Sequence, residues 1–441
     1  MEPQEVSTKQ RRIAELARIH PQVSFPSLAY HIDLLWLHEA YQRTRKDGAV
    51  GVDGQTAEEY AEDLGANLRD LLERAKAGTY YAPPVRRAHI PKGTGTETRP
   101  IGIPTFEDKV LQRAVTMVLE PLYETEFLDC SYGFRPGRSA HDALETLWKG
   151  LMEMGGGWII DLDIQKFFDT LDHNHLREIL KSRVCDGVLL RLIGKWLNAG
   201  VLEKGEVSYP ERGTPQGGVV SPMLSNIYLH TVLDRWFDQE VCPRLRGKAF
   251  EIRFADDAVL VFAQKEDAER VMAVLPKRFG KYGLTIHPEK TRMIQFGKPQ
   301  KRDGGSQEPP VGGTFNFLGF THYWGRSRKG VWVVKRRTET SRFSRALKKV
   351  SQWCRWNRHQ SLGEQQRALA AKLQGHYSYY GITGNGSCLG KFRYQVLRVW
   401  HKWLSRRSRG HPMPWDRFNA LLSQYPLPAV RVVHSCYAAN L

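Results

Sequence analysis

The chain of 441 residues lacks the features that mark membrane-spanning and disulfide-stabilised proteins. No apolar run reaches the roughly 18 residues that a membrane-spanning helix needs. The six cysteines are scattered singly and none forms a C-x-x-C pair, so neither a zinc site nor a disulfide framework is expected. Residues 1–5 contain no basic segment leading into an apolar stretch, so no secretory signal is expected. A reducing cytoplasm suits this composition.

Acidic residues are nearly missing from the last quarter of the chain. Residues 321–441 hold 23 Lys/Arg against three acids, whereas the rest holds 42 against 44, so this quarter carries all of the net charge of +18. A segment this basic repels itself unless a polyanion lies nearby. The sequence therefore predicts a nucleic-acid partner, with binding that weakens steeply as the salt concentration rises.

Two adjacent aspartates, Asp256 and Asp257, interrupt a run that otherwise reads as strand, 252–262. Burying two carboxylates between apolar strands is costly unless a cation or hydrogen bonds compensate. The pair forms either the tip of a simple hairpin turn or a cage for a divalent cation. Mg²⁺ takes one or two carboxylates and completes its shell with substrate phosphates, so the second alternative predicts phosphoryl transfer.

A second acidic strand precedes this hairpin in the sequence. Strand alternation places Asp161 and Asp163 on one face. Two-metal phosphoryl transfer needs carboxylates from separate strands around ions ~4 Å apart. Asp163 with Asp256 supplies such a pair, whereas Asp161 is expected to be a structural or hydrogen-bonded acid and Asp169 a helix cap.

Between the acidic strands lies a loop rich in glycine, 212–222, which ends in Ser-Pro. Its glycines would let the backbone approach a ligand closely. Ser221 is expected to be the N-cap of the following helix and Pro222 its first residue.

The coarse pattern predicts an α+β protein with helical ends. Residues 1–85 read as helices with a glycine-rich loop at 48–54, which by itself is typical of a helix–helix connection. Thr56 with Glu59 predicts a capping box after that loop. Strands and helices then alternate over 80–330.

The last part of the chain reads as helices. Residues 298–313 combine Gly, Pro and charge without periodicity and are expected to form a surface loop or mobile insertion. From about 338, apolar residues recur at helical spacing in three successive segments, which predicts a helical bundle. The loop between its second and third helices is expected at 381–390.

Taken in order, these segments resemble the motifs of reverse transcriptases. The palm motifs are Asp163-Ile164 with Phe168, Thr214-Pro215-Gln216-Gly217, Phe254-Ala255-Asp256-Asp257, Gly283–Thr291 and Phe315–Phe320, and the fingers motifs are 89–104 and Tyr132–Ser139. The loop at 48–54 and the segments 375–385 and 400–408 are similar to those of the group II intron-encoded branch, the bacterial reverse transcriptase/maturases. The resemblance covers about 30–435.

This resemblance implies a right-hand polymerase fold. The expected domains are an N-terminal helical extension (1–85), reverse transcriptase fingers and palm (86–335) and a three-helix thumb or maturase X domain (336–410). Residues 411–441 would be either the end of the X domain or a vestigial DNA-binding element.

The resemblance also implies roles for individual residues. The metal ligands would be Asp163, Asp256, the supporting Asp257 and the Ile164 carbonyl. Lys92 and Arg99 would hold the triphosphate of the incoming dNTP, Gln216 would line its site, and Phe168 would be the steric gate that excludes a 2′-hydroxyl. Lys290 would protonate pyrophosphate, although a solvated lysine in a turn is the alternative.

The implied reaction is RNA-templated DNA synthesis with two Mg²⁺ ions, for which Mn²⁺ is a substitute. The expected partners are an RNA template with a DNA primer, dNTPs, a DNA target and the group II intron RNA, whose splicing and mobility the protein would promote. The expected location is the bacterial cytoplasm, and the nucleoid when the protein is bound to DNA.

The sequence departs from the family pattern in two places. Phe254 replaces the usual tyrosine of the metal hairpin, which removes a hydroxyl but keeps the ring. No Cys/His-rich segment follows the thumb, so an HNH nuclease domain is not expected. Two alternatives stay open: an intron-independent relative that serves DNA repair or phage defence, and a splicing-only RNA-binding maturase.

Overall fold

The computed structural model describes residues 3–91, 98–209, 212–213, 217–299, 313–407 and 412–435. The chain divides into two compact units, and each combines two stretches of sequence. The first contains Met1–Ala143 and Ile159–Met293, and the second contains Leu144–Trp158 and Ile294–Leu441. Helices and strands alternate as expected, so the mixed class is confirmed. The predicted domain boundaries stay predictions.

Four α-helices precede the first strand, and further helices alternate with strands along most of the described chain. In order they are α1 Pro3–Ile19, α2 Leu34–Arg43, α3 Ala57–Glu62, α4 Leu64–Ala77, α5 Phe106–Tyr123, α6 Ala140–Met154, α7 Phe167–Thr170, α8 His173–Lys181, α9 Gly187–Leu197, α10 Ser221–Leu229 and α11 Lys265–Lys281. The predicted capping box opens α3, where Thr56 Oγ1 accepts from the Glu59 amide at 3.2 Å and the Glu59 carboxylate accepts from the Thr56 amide at 2.8 Å.

Two predicted helix starts are wrong by small amounts. Helix α10 begins at Ser221, so Val220 is its N-cap and Pro222 lies within the first turn. Ser221 is buried and is the first residue of the helix instead of its N-cap. Asp169 is not a cap either, because it lies inside α7; the capping carboxylate is Asp172, which accepts from the Asn174 amide at 2.9 Å at the start of α8.

The strands form three sheets. They are β1 Val85–Pro91, β2 Thr98–Ile103, β3 Gly156–Leu162, β4 Val201–Glu203, β5 Glu206–Ser208, β6 Ala249–Phe254, β7 Asp257–Phe262, β8 Arg292–Gly297, β9 Phe315–Phe317, β10 Phe320–Arg326 and β11 Trp332–Thr338. The sheet orders are β2-β1-β4-β5, β6-β7-β3-β8 and β11-β10-β9. The second sheet is buried on strand β7, where every residue from Ala258 to Phe262 is at most 2% exposed.

The second unit ends in helices, as the apolar periodicity predicts. They are α12 Thr340–Trp356, α13 Leu362–Tyr380, α14 Gly386–Leu404 and α15 Trp415–Gln424. Residues at the predicted spacings, including Val350, Leu369 and Val396, form one hydrophobic cluster. Phe418 and Leu427 join the same cluster, so the described part of 411–441 packs on the bundle.

Helix α14 begins earlier than predicted. The loop before it runs only from 381 to 385, because buried Asn385 ties the chain there. Its Oδ1 accepts from the Thr338 amide at 2.9 Å and its Nδ2 donates to the Tyr380 carbonyl at 2.8 Å. Among the described helices, none combines the length and the apolar character needed to cross a membrane.

Candidate active site

Strands β6 and β7 form the hairpin that carries the predicted metal ligands. Phe254 pairs with Asp257, so the turn consists of Ala255 and Asp256 alone. Ala255 has φ of 57°, in the left-handed region that residues other than glycine rarely adopt. A turn of this kind needs outside support, because alanine does not favour the conformation by itself.

Arg253 supplies much of that support from beneath the turn. Its side chain is fully buried and each of its five N–H groups finds an acceptor. Those acceptors are the two Asp234 carboxylate oxygens at 2.6 Å each, Asn226 Oδ1 at 3.0 Å, the Ala255 carbonyl at 2.9 Å and Ser131 Oγ at 2.8 Å. The bond to Ala255 ties the strained residue to a buried ion pair.

Gly133 presses against the same turn from another segment. A Cβ at this position would lie 2.2 Å from the Ala255 nitrogen, so a side chain is excluded without backbone movement. Asn226 Nδ2 donates to the Gly133 carbonyl at 2.7 Å, and the Tyr132 amide donates to the Arg253 carbonyl at 2.9 Å. The segment predicted as a fingers motif thus holds the metal hairpin in place.

Asp163 follows the last residue of β3 and is fixed through its backbone. Its carbonyl accepts from the His287 amide at 2.8 Å, and its amide donates to Thr291 Oγ1 at 3.1 Å. The same pairing brings Lys290 Nζ to 3.6 Å from Asp163 Oδ2. The structure therefore joins Asp163 and Lys290, two predicted site residues far apart in sequence.

Ile164 pairs with Ile286 in an isolated antiparallel bridge. The residues on either side of Ile164 make the hydrogen bonds of this bridge. The Gln165 amide donates to the Thr285 carbonyl at 2.8 Å, and the Asp163 carbonyl accepts from the His287 amide at 2.8 Å. The bridge therefore leaves the Ile164 carbonyl free to coordinate a ligand.

The charges of Asp163 and Arg99 both affect the pKa of Asp256. Burial raises the pKa of its carboxyl group, the Asp163 carboxylate raises it further, and the Arg99 guanidinium lowers it. Arg99 lies on β2 at an exposed position, opposite Ile90 of β1. A divalent cation between the two carboxylates would offset their repulsion, which fits the hard oxygen donors that Mg²⁺ prefers.

The two remaining strand acids differ from this pair. Asp257 is exposed and opens β7 directly after the turn. Asp161 lies 3.5 Å from Arg292 Nε, and burial raises the pKa of its carboxyl group to about 6. The ion pair agrees with the structural role expected of Asp161.

Phe168 lies at the start of α7, half-buried, with its ring centroid 5.3 Å from that of Phe167. Gly213 approaches the backbone beneath it so closely that a Cβ there would lie 2.8 Å from the Phe168 carbonyl. Two predicted nucleotide-site residues, Lys92 and Gln216, lie outside the described residues.

A separate group of potential metal ligands lies behind the hairpin, at Cys130, Asp234 and Glu251, whose ligand atoms all lie within 4.8 Å of one another. Both oxygens of Asp234 already bind Arg253. Burial and the charge of Asp234 raise the pKa of Glu251, and burial raises that of the Cys130 thiol. A cation at this group would have to displace Arg253 from Asp234.

The sequence analysis missed the residues that hold the site, namely Arg253, Asp234, Asn226 and Thr291. One signal was available, because Arg253 is a charged residue inside an apolar strand immediately before the aspartate pair. Its side-chain partners carry no such signal, since Asn226 lies on α10, Asp234 ends the π-helical turn His230–Asp234, and Ser131 lies between α5 and α6.

Comparison with known proteins agrees with this geometry. The sequence profile of the family described as "Reverse transcriptase (RNA-dependent DNA polymerase)" matches residues 90–322. The chain is 33% identical to Protein YkfC of Escherichia coli over 362 residues, which cover 74% of this chain and 90% of YkfC. It is 37% identical to the group II intron-encoded protein LtrA of Lactococcus lactis over 253 residues, which cover 54% of this chain and 41% of LtrA.

A more distant relative is nuclear intron maturase 4, mitochondrial, of Arabidopsis thaliana, at 32% identity over 212 residues, which cover 47% of this chain and 23% of the relative. The chain thus spans most of YkfC and less than half of LtrA and of the nuclear maturase. The predicted resemblance to the group II intron-encoded reverse transcriptase/maturases is confirmed. The two alternatives, an intron-independent relative and a splicing-only maturase, are not favoured. The matched region contains Arg99, Asp163, Asp256 and Lys290. The chain belongs to the reverse transcriptase family, with group II intron-encoded proteins and intron maturases among its relatives.

Proposed function

We propose that this protein is an RNA-directed DNA polymerase that also binds a group II intron RNA and promotes its splicing and mobility. The observation that carries the proposal is the meeting of Asp163, Asp256, Arg99 and Lys290. Asp163 and Arg99 both act on the pKa of Asp256, and Lys290 lies 3.6 Å from Asp163. The family match and the intron-encoded relatives support the same activity.

Asp163, Asp256, the supporting Asp257 and the Ile164 carbonyl would hold two Mg²⁺ ions, or Mn²⁺ in their place. Bound there, the ions would lower the pKa of the primer 3′-hydroxyl and stabilise the charge on the leaving pyrophosphate. Arg253 and Gly133 keep Asp256 in position by fixing Ala255. The Thr291 hydroxyl does the same for the Asp163 backbone.

The cationic residues would handle the triphosphate. Arg99, with Lys92, would bind its oxygens, because guanidinium and ammonium groups suit phosphate. Lys290 would donate a proton to pyrophosphate as it leaves, and Asp163 holds the ammonium group near that position. Phe168 would close the space beside the sugar, and Gln216 would line the nucleotide site.

In this proposal, β1–β2 of the first unit belong to the fingers, and the hairpin β6–β7 with the end of β3 belongs to the palm. The bundle α12–α14 of the second unit would be the thumb. The bound partners would be an RNA template with a DNA primer, dNTPs, the intron RNA and a DNA target. A bacterial cytoplasmic location, on the nucleoid when DNA is bound, completes the proposal.

Replacing Asp256 tests the polymerase. Asp256→Ala should abolish Mg²⁺-dependent primer extension on an RNA template but should leave RNA binding intact. The reason is that the Asp256 carboxylate would bind the metal ions and would not contact the RNA strand. Glu266→Ala, which removes an exposed carboxylate from α11, is the matched control and should extend primers normally. Extension by Asp256→Ala at the rate of the control would refute the site.

Intron function needs a separate test. Splicing of a group II intron that flanks the reading frame should depend on the protein and should survive Asp256→Ala. A reading frame with no ribozyme around it would favour a host function instead.

A further inference from the structure

A pocket lined by three arginines and a tryptophan lies on the helical bundle of the second unit. Arg355, Arg358, Trp403 and Arg406 enclose about 410 Å³ and leave it open to solvent. This "arginine pocket" is formed by the ends of α12 and α14 and by the turns that follow these two helices. None of its residues belongs to the candidate active site.

Trp403 forms a rigid wall of the pocket. Its Nε1 donates to Ser351 Oγ at 3.2 Å, which fixes the plane of the indole. The guanidinium of Arg406 lies 5.1 Å from the ring centroid and that of Arg355 lies 6.0 Å from it. Cation–π contacts of this kind hold two of the three charges in place before any ligand arrives.

Arg358 is held from the other side. Its Nη1 donates to the Arg355 carbonyl at 2.8 Å, and its own carbonyl accepts from Arg407 Nε. Its Nε–H is buried and has no acceptor among the described residues. A buried donor without an acceptor is costly, so the protein by itself does not satisfy every donor of the Arg358 side chain.

The charges of the pocket are not neutralised within the protein. Residues 321–441 contain only Glu339, Glu364 and Asp416 as acids. Glu339 pairs with Arg342 at 3.7 Å, and Glu364 accepts from Ser361 Oγ at 2.8 Å. Within the part of the chain that the structure describes, no carboxylate forms an ion pair with an arginine of the pocket.

We propose that the arginine pocket binds the phosphodiester backbone of a nucleic-acid strand. Planar guanidinium groups match phosphate oxygens in pairs, and the open shape suits one phosphate of a long strand better than an enclosed nucleotide. Trp356, next to Arg355 and 75% exposed, offers a ring for a neighbouring base. The inference rests on the proposed function, which makes RNA the expected strand, and it adds a site to it.

Binding of a labelled single-stranded oligoribonucleotide to the full chain tests the pocket, with chelator present and dNTPs absent so that no nucleotide is added during the measurement. The variant is Arg358→Gln with Arg406→Gln. The matched control is Arg367→Gln with Lys391→Gln, two exposed cations of α13 and α14 outside the pocket. In the pocket variant, the slope of log affinity against log salt should fall by about 1.4, which is about 0.7 for each cation removed from a single strand, and affinity at about 0.1 M salt should fall about 25-fold.

Equal affinities and slopes for the pocket variant and the control would overturn the proposal. Arg406→Gln alone changes an exposed residue and should fold. It should lower the slope by about 0.7, and an unchanged slope would overturn the proposal as well. An oligodeoxyribonucleotide of the same sequence shows whether the pocket distinguishes RNA from DNA. If the arginine variants lose affinity for both strands, the pocket binds either backbone. If they lose affinity for RNA alone, the pocket is assigned to RNA. Failure of the unaltered protein to extend primers would refute the polymerase and leave this result standing.

Discussion

Arg253 positions the catalytic turn without touching a reacting atom. Sequence reasoning predicted Asp256 because paired carboxylates in a strand need a cation, which is a local argument. It could not predict what holds Asp256, because the acceptors of Arg253 come from Ser131, Asn226 and Asp234 on other elements. Only the fold brings these residues into one buried network.

Arg253→Lys tests this positioning role. Lysine keeps the charge but has three donors in place of the five of the guanidinium, so buried acceptors are left unpaired. We expect the free energy of unfolding to fall by about 1–3 kcal/mol for each unpaired acceptor and the Mg²⁺ concentration for half-maximal extension to rise. Urea unfolding and a Mg²⁺ titration of primer extension measure these effects.

The control for that variant is Arg270→Lys, whose side chain is 53% exposed beside Asp267. It should change the free energy of unfolding by less than about 1 kcal/mol. A folded Arg253→Lys protein with an unchanged Mg²⁺ requirement would show that Arg253 has a purely structural role.

Phe168→Ala tests the proposed sugar gate. Loss of the ring would open space for a 2′-hydroxyl, so the ratio of ribonucleotide to deoxynucleotide insertion efficiency should rise by at least about tenfold. Single-nucleotide insertion kinetics give this ratio. Phe167→Leu, at the buried neighbouring position, should leave the ratio unchanged, and an equal ratio in both variants would remove Phe168 from this role.

Among the elements, α5 is joined to α9 and to the start of α10 through one buried carboxylate. Asp108 accepts from the Tyr80 hydroxyl at 2.5 Å, Trp196 Nε1 at 2.6 Å and Gln112 Nε2 at 3.1 Å. Gln112 Oε1 then accepts from the Val220 amide at 3.2 Å. Although these donors favour the ionised form, burial outweighs them and raises the pKa of Asp108 to about 6.

This raised pKa predicts a pH-dependent stability. Because the folded state holds the proton more tightly than the unfolded state, whose pKa is 3.8, the contribution of Asp108 is fully present below that value and is lost as the pH rises through about 6. The loss is on the order of 3 kcal/mol. The advantage of the unaltered protein over Asp108→Asn in unfolding free energy should therefore shrink across this window.

Urea unfolding at several pH values from about 4 to 7 measures that difference. Glu266→Gln, an exposed substitution in α11, should show a nearly constant difference from the unaltered protein. An advantage over Asp108→Asn that grows with pH would contradict the prediction.

The helices of the second unit show how far periodicity alone predicts structure. Helices α12 to α14 each repeat buried or partly buried apolar residues over several turns, so their pattern is readable in the sequence. The start of α14 was placed too late, because the contacts of Asn385 with Thr338 and Tyr380 are tertiary. Helix α15 was missed, since Phe418 is its one buried residue.

At the scale of the whole molecule, the proposed metal ligands and the excess positive charge lie in different stretches of the chain. Asp163 and Asp256 belong to the first unit, whereas the basic residues of 321–441 belong to the second. The sequence predicts the first part from the order of its motifs and the second from the excess of Lys/Arg over acids in 321–441. This separation means that strand binding and nucleotide addition can be lost independently, as the Asp256 and arginine-pocket variants are designed to show.

The close approach of Gly133 to Ala255 has a consequence for how the protein folds. The turn that carries Asp256 reaches its final shape only after a segment more than a hundred residues earlier has docked against it. Contacts between such distant segments form late, because closing the intervening loop costs entropy before any contact compensates for it. If the turn binds the ions of the proposed reaction, the site for them is among the last features that a newly made chain acquires, and a partly folded chain would be present but inactive.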